Sequence, residues 1–119
     1  MNRVFQQSWY IPGTLSANHV ILFKAPFDMQ LVHVSLVNTS ANAGTLKIGD
    51  SSDDDCYLAA ENFGVSSTPA EVAKFAGFDG VTAGSQYPHI PDGTIVKITI
   101  TDHASHMAAA AVVLTFTEG

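Results

Sequence analysis

Short apolar or alternating runs, separated by Gly, Pro, Asn and Asp, follow one another along this 119-residue chain. The clearest run spans residues 94–101, where β-branched residues dominate, and it comes directly after the turn-forming residues Pro91, Asp92 and Gly93. Amphipathic helices repeat apolar residues every three to four positions, and no run of this sequence has that period. The pattern predicts an all-β fold, and we expect an antiparallel β-sandwich with little or no helix.

Alternation within residues 94–101 puts Val96, Ile98 and Ile100 on one face, which we expect to be the core face. The same reasoning predicts strands over residues 20–25, 31–38, 45–48, 56–60, 72–75, 87–90 and 109–117. The run at 56–60 is also compatible with one helical turn. We expect the first two strands of this series to follow each other as a hairpin.

Composition limits the kinds of partner that the chain can bind. Hydrophobic residues make up 46% of the chain and charged residues 13%, whereas about one quarter of the residues are charged in an ordinary soluble domain. Much of the surface is therefore uncharged, and part of it is expected to face another protein. The net charge of -6, with only five Lys and Arg, provides no basic stripe for phosphates, so nucleic-acid binding is disfavoured.

The sequence also disfavours membrane insertion, secretion and disulfide bonding. Its longest apolar stretch, residues 107–114, is far shorter than the roughly 20 residues that a bilayer requires. The N-terminal residues lack the apolar centre of a signal peptide, and Cys56 is the only cysteine. Asn38, Thr39 and Ser40 match a glycosylation pattern, but without a secretory signal we interpret them as a polar turn.

Catalytic motifs are missing from the sequence, so we expect neither an enzyme nor a cofactor. Asp102, His103 and His106 are close enough along the chain to ligate a transition metal, but a solvated hairpin tip is the favoured interpretation. His33 lies in an apolar strand and is expected to be hydrogen-bonded and partly buried. The acidic residues beside Cys56 are expected to raise the pKa of its thiol.

An acidic cluster is the strongest metal-ligating pattern. The cluster contains Asp50, Asp53, Asp54 and Asp55. Counted from Asp50, oxygen-bearing side chains stand at positions one, three, five and twelve of a helix-loop-helix calcium loop, and these are Asp50, Ser52, Asp54 and Glu61. Asp55 stands where that loop requires Gly, and the preceding residues are strand-like, so this motif is disfavoured. A looser Ca²⁺ or Mg²⁺ site stays open, because crowded carboxylates repel one another. A hydrated acidic turn is the favoured interpretation.

Residues 1–12 are predicted to form an N-terminal arm or edge segment, followed by one sandwich domain over residues 13–119. Aromatic residues in a terminal segment can anchor a chain to a partner, because Trp and Tyr are enriched among the residues that dominate binding. Phe5, Trp9 and Tyr10 are therefore our first contact candidates. An edge strand that covers its own core is the commoner outcome for such a segment.

The connection over residues 62–84 contains several Gly and Phe residues. Exposed Phe rings are unfavourably hydrated, so rings in a glycine-broken loop are expected either to fold back onto the core or to contact a neighbouring protein. Phe63 and Phe78 are our second contact candidates on this ground.

Five segments carry a family resemblance: IPGTLSA at 11–17, LVHVS at 31–35, TLKIG at 45–49, YPHIPDGT at 87–94 and VVLTFTEG at 112–119. Together they resemble small β-sandwich virion proteins of tailed bacteriophages, and the head decoration, or cement, proteins are the nearest family. The resemblance implies a jelly-roll-like domain, commonly a homotrimer, that is made in the host cytoplasm. It also implies that this domain binds the outside of the major capsid protein shell and stabilises the head.

Two other classes of function remain open. A carbohydrate-binding or tail-fibre adhesion module would use the same sandwich, although it usually presents aromatic platforms, and this chain has one Trp and three Tyr. A metal-dependent enzyme of cupin-like architecture would need histidines clustered with a carboxylate on neighbouring strands. His33 and His89 are the residues that would have to converge in such a site.

Overall fold

The computed structural model describes residues 3–78 and 87–119, and these residues form two antiparallel β-sheets that pack face to face. Residues 1–2 of the predicted arm and residues 79–84 of the predicted central connection lie outside the described residues. A single 3-10 turn, Phe75–Gly77, is the only helical element of the described ranges. The strands are β1 Val4–Thr14, β2 His19–Lys24, β3 Met29–Val37, β4 Thr45–Asp50, β5 Leu58–Asn62, β6 Ala70–Val72, β7 His89–Ile90, β8 Ile95–Thr101 and β9 Ala108–Glu118. The predicted antiparallel β-sandwich is confirmed.

The strands pair in a nested order. The first sheet has the order β1-β9-β3-β6, with β7 also paired to β3, and the second sheet has the order β2-β8-β4-β5. The first strand thus pairs with the last, β1 with β9. The pairs β2 with β8, β3 with β7 and β4 with β5 follow, each enclosed along the chain by the pair before it. This is the arrangement of a double-sheet jelly roll, in which most consecutive strands lie in different sheets; β4 and β5 share the second sheet, and β6 and β7 share the first.

The hairpin that we predicted between residues 20–25 and 31–38 is wrong. β2 pairs with β8 in the second sheet, whereas β3 pairs with β9, β6 and β7 in the first sheet. The short segment around Pro26 crosses from one sheet to the other instead of reversing within one sheet. The expected hairpin tip at residues 102–106 is wrong for the same reason, because β8 and β9 also belong to different sheets.

Most predicted strands are present, with shifted ends. The run at 56–60 forms a strand that begins at Leu58 and pairs with β4, so the helical-turn alternative does not apply. The run at 72–75 is displaced: β6 ends at Val72, where its pairing with β3 stops. Val96, Ile98 and Ile100 of β8 all face the core and are buried, as predicted.

The core lies between the sheets and is built from the inward side chains of both. β3 and β9 contribute its centre because they lie inside the first sheet and are flanked on both sides. No helix of the described ranges is long and apolar enough to cross a membrane. The fully buried residues with the largest side chains are Phe78, Phe116, Leu15, Met29, Leu31, Leu36, Leu46, Ile48, Leu58, Ile90, Ile98 and Ile100.

Candidate functional site

β1 is the edge strand of the first sheet, and its inward aromatic rings close one side of the sandwich. Phe5 stacks on Phe116 of β9 with ring centroids 5.0 Å apart, and it meets Phe27 edge-on at 5.4 Å. Trp9 lies against Phe23 of β2 at 5.9 Å. Two of our first contact candidates therefore pack chiefly against their own core, which is the commoner outcome anticipated for this segment.

Tyr10 differs from its neighbours on β1. Its side chain points away from the core and is 63% exposed. The residue pairs with Ala111 of β9, so the ring stands beside a small side chain on the outer face of the first sheet. Of the first contact candidates, Tyr10 alone presents most of its surface to solvent.

Phe63 and Phe78 do not lie on the surface. Each is only 2% exposed, and Phe78 contacts Tyr87 edge-on at a centroid distance of 5.8 Å. Both rings fold back onto the core, which is one of the two outcomes expected for Phe residues in this connection. We therefore withdraw Phe63 and Phe78 as contact candidates, because a buried ring offers no area to a partner.

The outer face of the second sheet has properties that the sequence analysis missed. Three large apolar side chains are exposed there: Val20 at 54%, Leu22 at 60% and Ile95 at 40%. They are accompanied by lysines on the same face, since Leu22 lies opposite Lys97 and Ile95 lies opposite Lys24 in the register of β2 and β8. The run His19–Lys24 is apolar on both of its faces, and that signal in the sequence could have indicated an exposed apolar strand.

The outer face of the first sheet is nearly free of charge. Gln6 of β1 donates a hydrogen bond of 3.1 Å from its amide to the hydroxyl of Thr115 on β9, and Ser8 lies opposite Val113. A hydrogen-bonded pair lies farther across the sheet, where His33 Nε2 is 2.9 Å from a carboxylate oxygen of Glu71. The two sheets thus present outer faces of different chemistry.

The acidic cluster lies in the loop between β4 and β5. Asp50 Oδ1 accepts hydrogen bonds from the backbone N–H groups of Ser52 and Asp53 at 2.8 and 2.9 Å, so this carboxylate shapes the turn. Carboxylate oxygens of Asp53, Asp54 and Asp55 lie within 4.8 Å of one another. The structure thus brings three of the four predicted residues together and assigns Asp50 to the turn.

The crowded carboxylates of this loop affect one another's protonation. A hydrogen bond with Asp53 and repulsion from the carboxylates of Asp53 and Asp54 raise the pKa of Asp55. Lys47 Nζ is 3.8 Å from Asp54 Oδ2, at the long limit of an ion pair. Flanking helices are missing, because the loop connects two strands, so the disfavoured helix-loop-helix motif does not form. The hydrated acidic turn stays a prediction.

Burial, reinforced by the carboxylates of Asp50 and Asp53, raises the pKa of the Cys56 thiol to about 11. The direction is the one expected from the sequence, although burial is the larger cause. A thiol with this pKa is protonated at neutral pH and is therefore a poor nucleophile. Cys56 is half-buried and packs against the core as a small apolar residue.

The turn at residues 102–106 is held by the Asp102 carboxylate. Its Oδ1 accepts hydrogen bonds from the backbone N–H groups of His103 and Met107 at 2.9 and 2.8 Å, and its Oδ2 lies 2.7 Å from His106 Nδ1. His103 Nδ1 accepts a bond from the Ser105 N–H. These three side chains are therefore engaged within the turn and do not form a metal-ligand group.

The two histidines of the cupin-like alternative, His33 and His89, do not belong to a group of metal ligands either. His33 is hydrogen-bonded to Glu71 and partly buried, as predicted, whereas His89 lies exposed on β7. Among residues 3–78 and 87–119, the group formed by Asp53, Asp54 and Asp55 is the only cluster of three or more potential metal ligands.

Comparison with known proteins adds one finding. No protein-family model and no curated protein sequence matches this chain. Its fold is similar to that of a chain in a solved structure, the cyanophage Pam1 capsid asymmetric unit, with a TM-score of 0.59 and 20% sequence identity. The similarity covers 99% of this chain and 85% of that chain. The shared feature is therefore the whole two-sheet fold.

Proposed function

We propose that this chain is a structural protein of a bacteriophage virion, which binds the outside of the major capsid protein shell and stabilises the head. The observation that carries the proposal is the fold similarity to a chain of a cyanophage capsid asymmetric unit over 99% of this chain. The resemblance of five sequence segments to phage decoration proteins supports the same role from independent features of the sequence.

Physical features of the surface support this role. A protein that stabilises a shell needs a rigid fold and surfaces that exclude water on contact, and it needs no catalytic centre. Both outer faces offer such surface: that of the first sheet is poor in charge, as the centres of protein interfaces are, and that of the second exposes Val20, Leu22 and Ile95. Capsid symmetry then multiplies each weak contact, so that a modest affinity per copy gives stable decoration.

The proposal includes self-association of the chain, with a trimer favoured by the resemblance to decoration proteins. Among residues 3–78 and 87–119, the edge strands β1 and β2 each leave one row of backbone hydrogen-bonding groups without a strand partner. Association between copies would cover such edges. The major capsid protein and further copies of this chain are therefore the proposed partners, and no cofactor is required.

A carbohydrate-binding or tail-fibre role is the competing hypothesis. Glycan-binding sandwiches usually present aromatic platforms. Of the aromatic side chains whose burial the structure describes, only that of Tyr10 is largely exposed, and Trp9 packs against Phe23. This distribution of rings favours the virion role over glycan binding.

Light scattering of the purified protein, alone and mixed with capsid shells assembled without it, tests the proposal. We expect an oligomer that adds to the shells saturably and with a fixed number of copies per shell. If the protein does not bind the shells and stays monomeric, the proposed role is overturned. A glycan array screened in parallel would then test the adhesion hypothesis.

A further inference from the structure

Three lysines form a diagonal row across the outer face of the second sheet. Lys24 lies on β2, Lys97 on β8 and Lys47 on β4. Lys97 lies opposite Leu22 on one side and Gly49 on the other, which makes it the diagonal neighbour of both other lysines. Diagonal neighbours in a sheet are about 7–8 Å apart, within reach of such long side chains.

This row is unusual for a chain of this charge. The sequence has five Lys and Arg against eleven Asp and Glu, so three of its five basic residues share one sheet face. Among the residues that the structure describes, Lys24 and Lys97 have no carboxylate within ion-pair distance. Lys47 has one long contact, 3.8 Å to Asp54. The positive charge of the row is therefore largely uncompensated by the residues that the structure describes.

Apolar side chains stand between the lysines. Five large apolar side chains are exposed in the described part of the chain, and three of them, Val20, Leu22 and Ile95, lie on this face. Strand alternation sets their outward direction, because Ile21 and Phe23 of β2 and Val96 of β8 pack in the core between them. The face therefore combines exposed apolar area with unpaired positive charge.

We propose that this basic-apolar face, formed by Val20, Leu22, Lys24, Ile95 and Lys97, is a docking surface for a protein that presents carboxylates around an apolar patch. The apolar side chains would be removed from water on contact, while the lysines would orient the partner and select an acidic surface. The identity of that partner rests on the proposed function, which makes it the outer surface of the capsid shell.

Charge complementarity decides between occupants. A second copy that met this face about a two-fold axis would place the two lysine rows against each other, which is unfavourable. Nucleic acid would be repelled by the net charge of -6 and would gain nothing from Val20 and Leu22. An acidic protein surface gains from both the lysines and the apolar side chains.

Substitutions on the face test the proposal. Lys97→Glu and Leu22→Ser are compared with the wild-type chain for affinity to capsid shells assembled without it, at low and moderate salt. We expect each to weaken binding at least about tenfold, and we expect wild-type binding to weaken as salt rises. Lys74→Glu is the matched control, since Lys74 is exposed elsewhere and the charge change is the same. It is expected to stay within about twofold of wild type.

Further measurements make the outcomes distinct. Thermal unfolding checks that the variants fold, and Lys97→Gln replaces Lys97→Glu if the latter does not. Carbodiimide coupling of wild-type protein to shells is expected to join Lys24 or Lys97 to a shell carboxylate. If the wild-type chain binds the shells and every variant of the face binds equally well, the docking face is overturned and the proposed function stands. Failure of the wild-type chain to bind shells would overturn the proposed function itself.

Two other results would also contradict the docking face. If Lys97→Glu lowered the oligomer mass of the free protein, the face would be a contact between copies. If the wild-type chain bound duplex DNA and Lys97→Glu abolished that binding, the occupant would be nucleic acid.

Discussion

Asn38 is the single buried polar residue of the described ranges, and its side chain contacts four other residues. Its amide Nδ2 donates to the carbonyl oxygens of Asn42 and Gly64 at 3.1 and 3.0 Å, and its Oδ1 accepts from the Ser40 backbone N–H and hydroxyl. The Ala108 N–H approaches the same oxygen at 3.4 Å. Every hydrogen-bonding position of the amide group is thus used.

Replacing this amide by a carboxyl group should be costly. Asn38→Asp puts an acceptor where the carbonyl oxygens of Asn42 and Gly64 need a donor, so we expect the free energy of unfolding to fall by about 2–3 kcal/mol. Denaturant unfolding measures the change. Asn62→Asp is the matched control, because Asn62 is exposed at the end of β5. An equal loss in both variants would contradict the role assigned to Asn38.

Asp102 gives a prediction about pH. Burial by itself would raise the pKa of its carboxyl group, but hydrogen bonds from His106 and from the backbone N–H groups of Met107 and His103 outweigh burial and lower the pKa from its usual value. A lowered pKa in the folded state means that the ionised group stabilises the protein above the unfolded pKa, about 4, and loses this effect as pH falls.

We expect Asp102→Asn to be less stable than wild type at pH 6, by about 1 kcal/mol, and to close part of that gap at pH 3. Urea unfolding at the two pH values measures both quantities. Asp92→Asn, in an exposed turn, serves as the control. A constant difference between Asp102→Asn and wild type at both pH values would mean that the carboxylate does not act through its charge.

These side-chain networks show the limit of sequence reasoning at this scale. The sequence identified polar turns at residues 38–40 and 102–106 from residue type alone. It could not identify their partners, because Asn38 bonds to Gly64, 26 positions away, and approaches Ala108, 70 positions away. Only the pairing of the sheets brings such residues together.

At the scale of elements, β1 is both an edge strand and a part of the core. It pairs with β9 along most of its length, and Phe5 and Trp9 pack between the sheets. Residues 4–10 are therefore built into the sandwich as part of an edge strand. A capsid-binding test based on their deletion would confound binding with stability.

We expect deletion of residues 1–10 to lower the melting temperature by several degrees and to promote aggregation, because it uncovers aromatic rings and leaves β9 as an open edge. Differential scanning calorimetry and light scattering measure these effects. Tyr10→Ser is the control, since that side chain is largely exposed. A truncated protein as stable as the Tyr10→Ser variant would show that β1 is dispensable to the fold.

Local pattern was enough to find most strands but not to distribute them between sheets. β8 was recognised from its β-branched residues, and its core face from alternation. The pairing of β2 with β8 was missed, because a jelly roll joins strands that lie far apart along the chain. Turn residues alone do not distinguish a hairpin from a crossing between sheets.

At the scale of the whole molecule, the two outer faces differ in charge although the chain is acidic overall. One face is nearly uncharged, and the other carries the row of Lys24, Lys97 and Lys47. These lysines are spread over more than seventy positions of the sequence, so their juxtaposition depends on strand register and could not be read from composition. The candidate site was therefore the least predictable part of the molecule.

Electron cryo-microscopy of capsid shells incubated with the purified chain tests the proposal that this protein decorates the outside of a phage head. We predict additional density on the outer surface that follows the capsid lattice and accommodates the two-sheet domain. Shells whose outer surface is unchanged under saturating protein would contradict the claim.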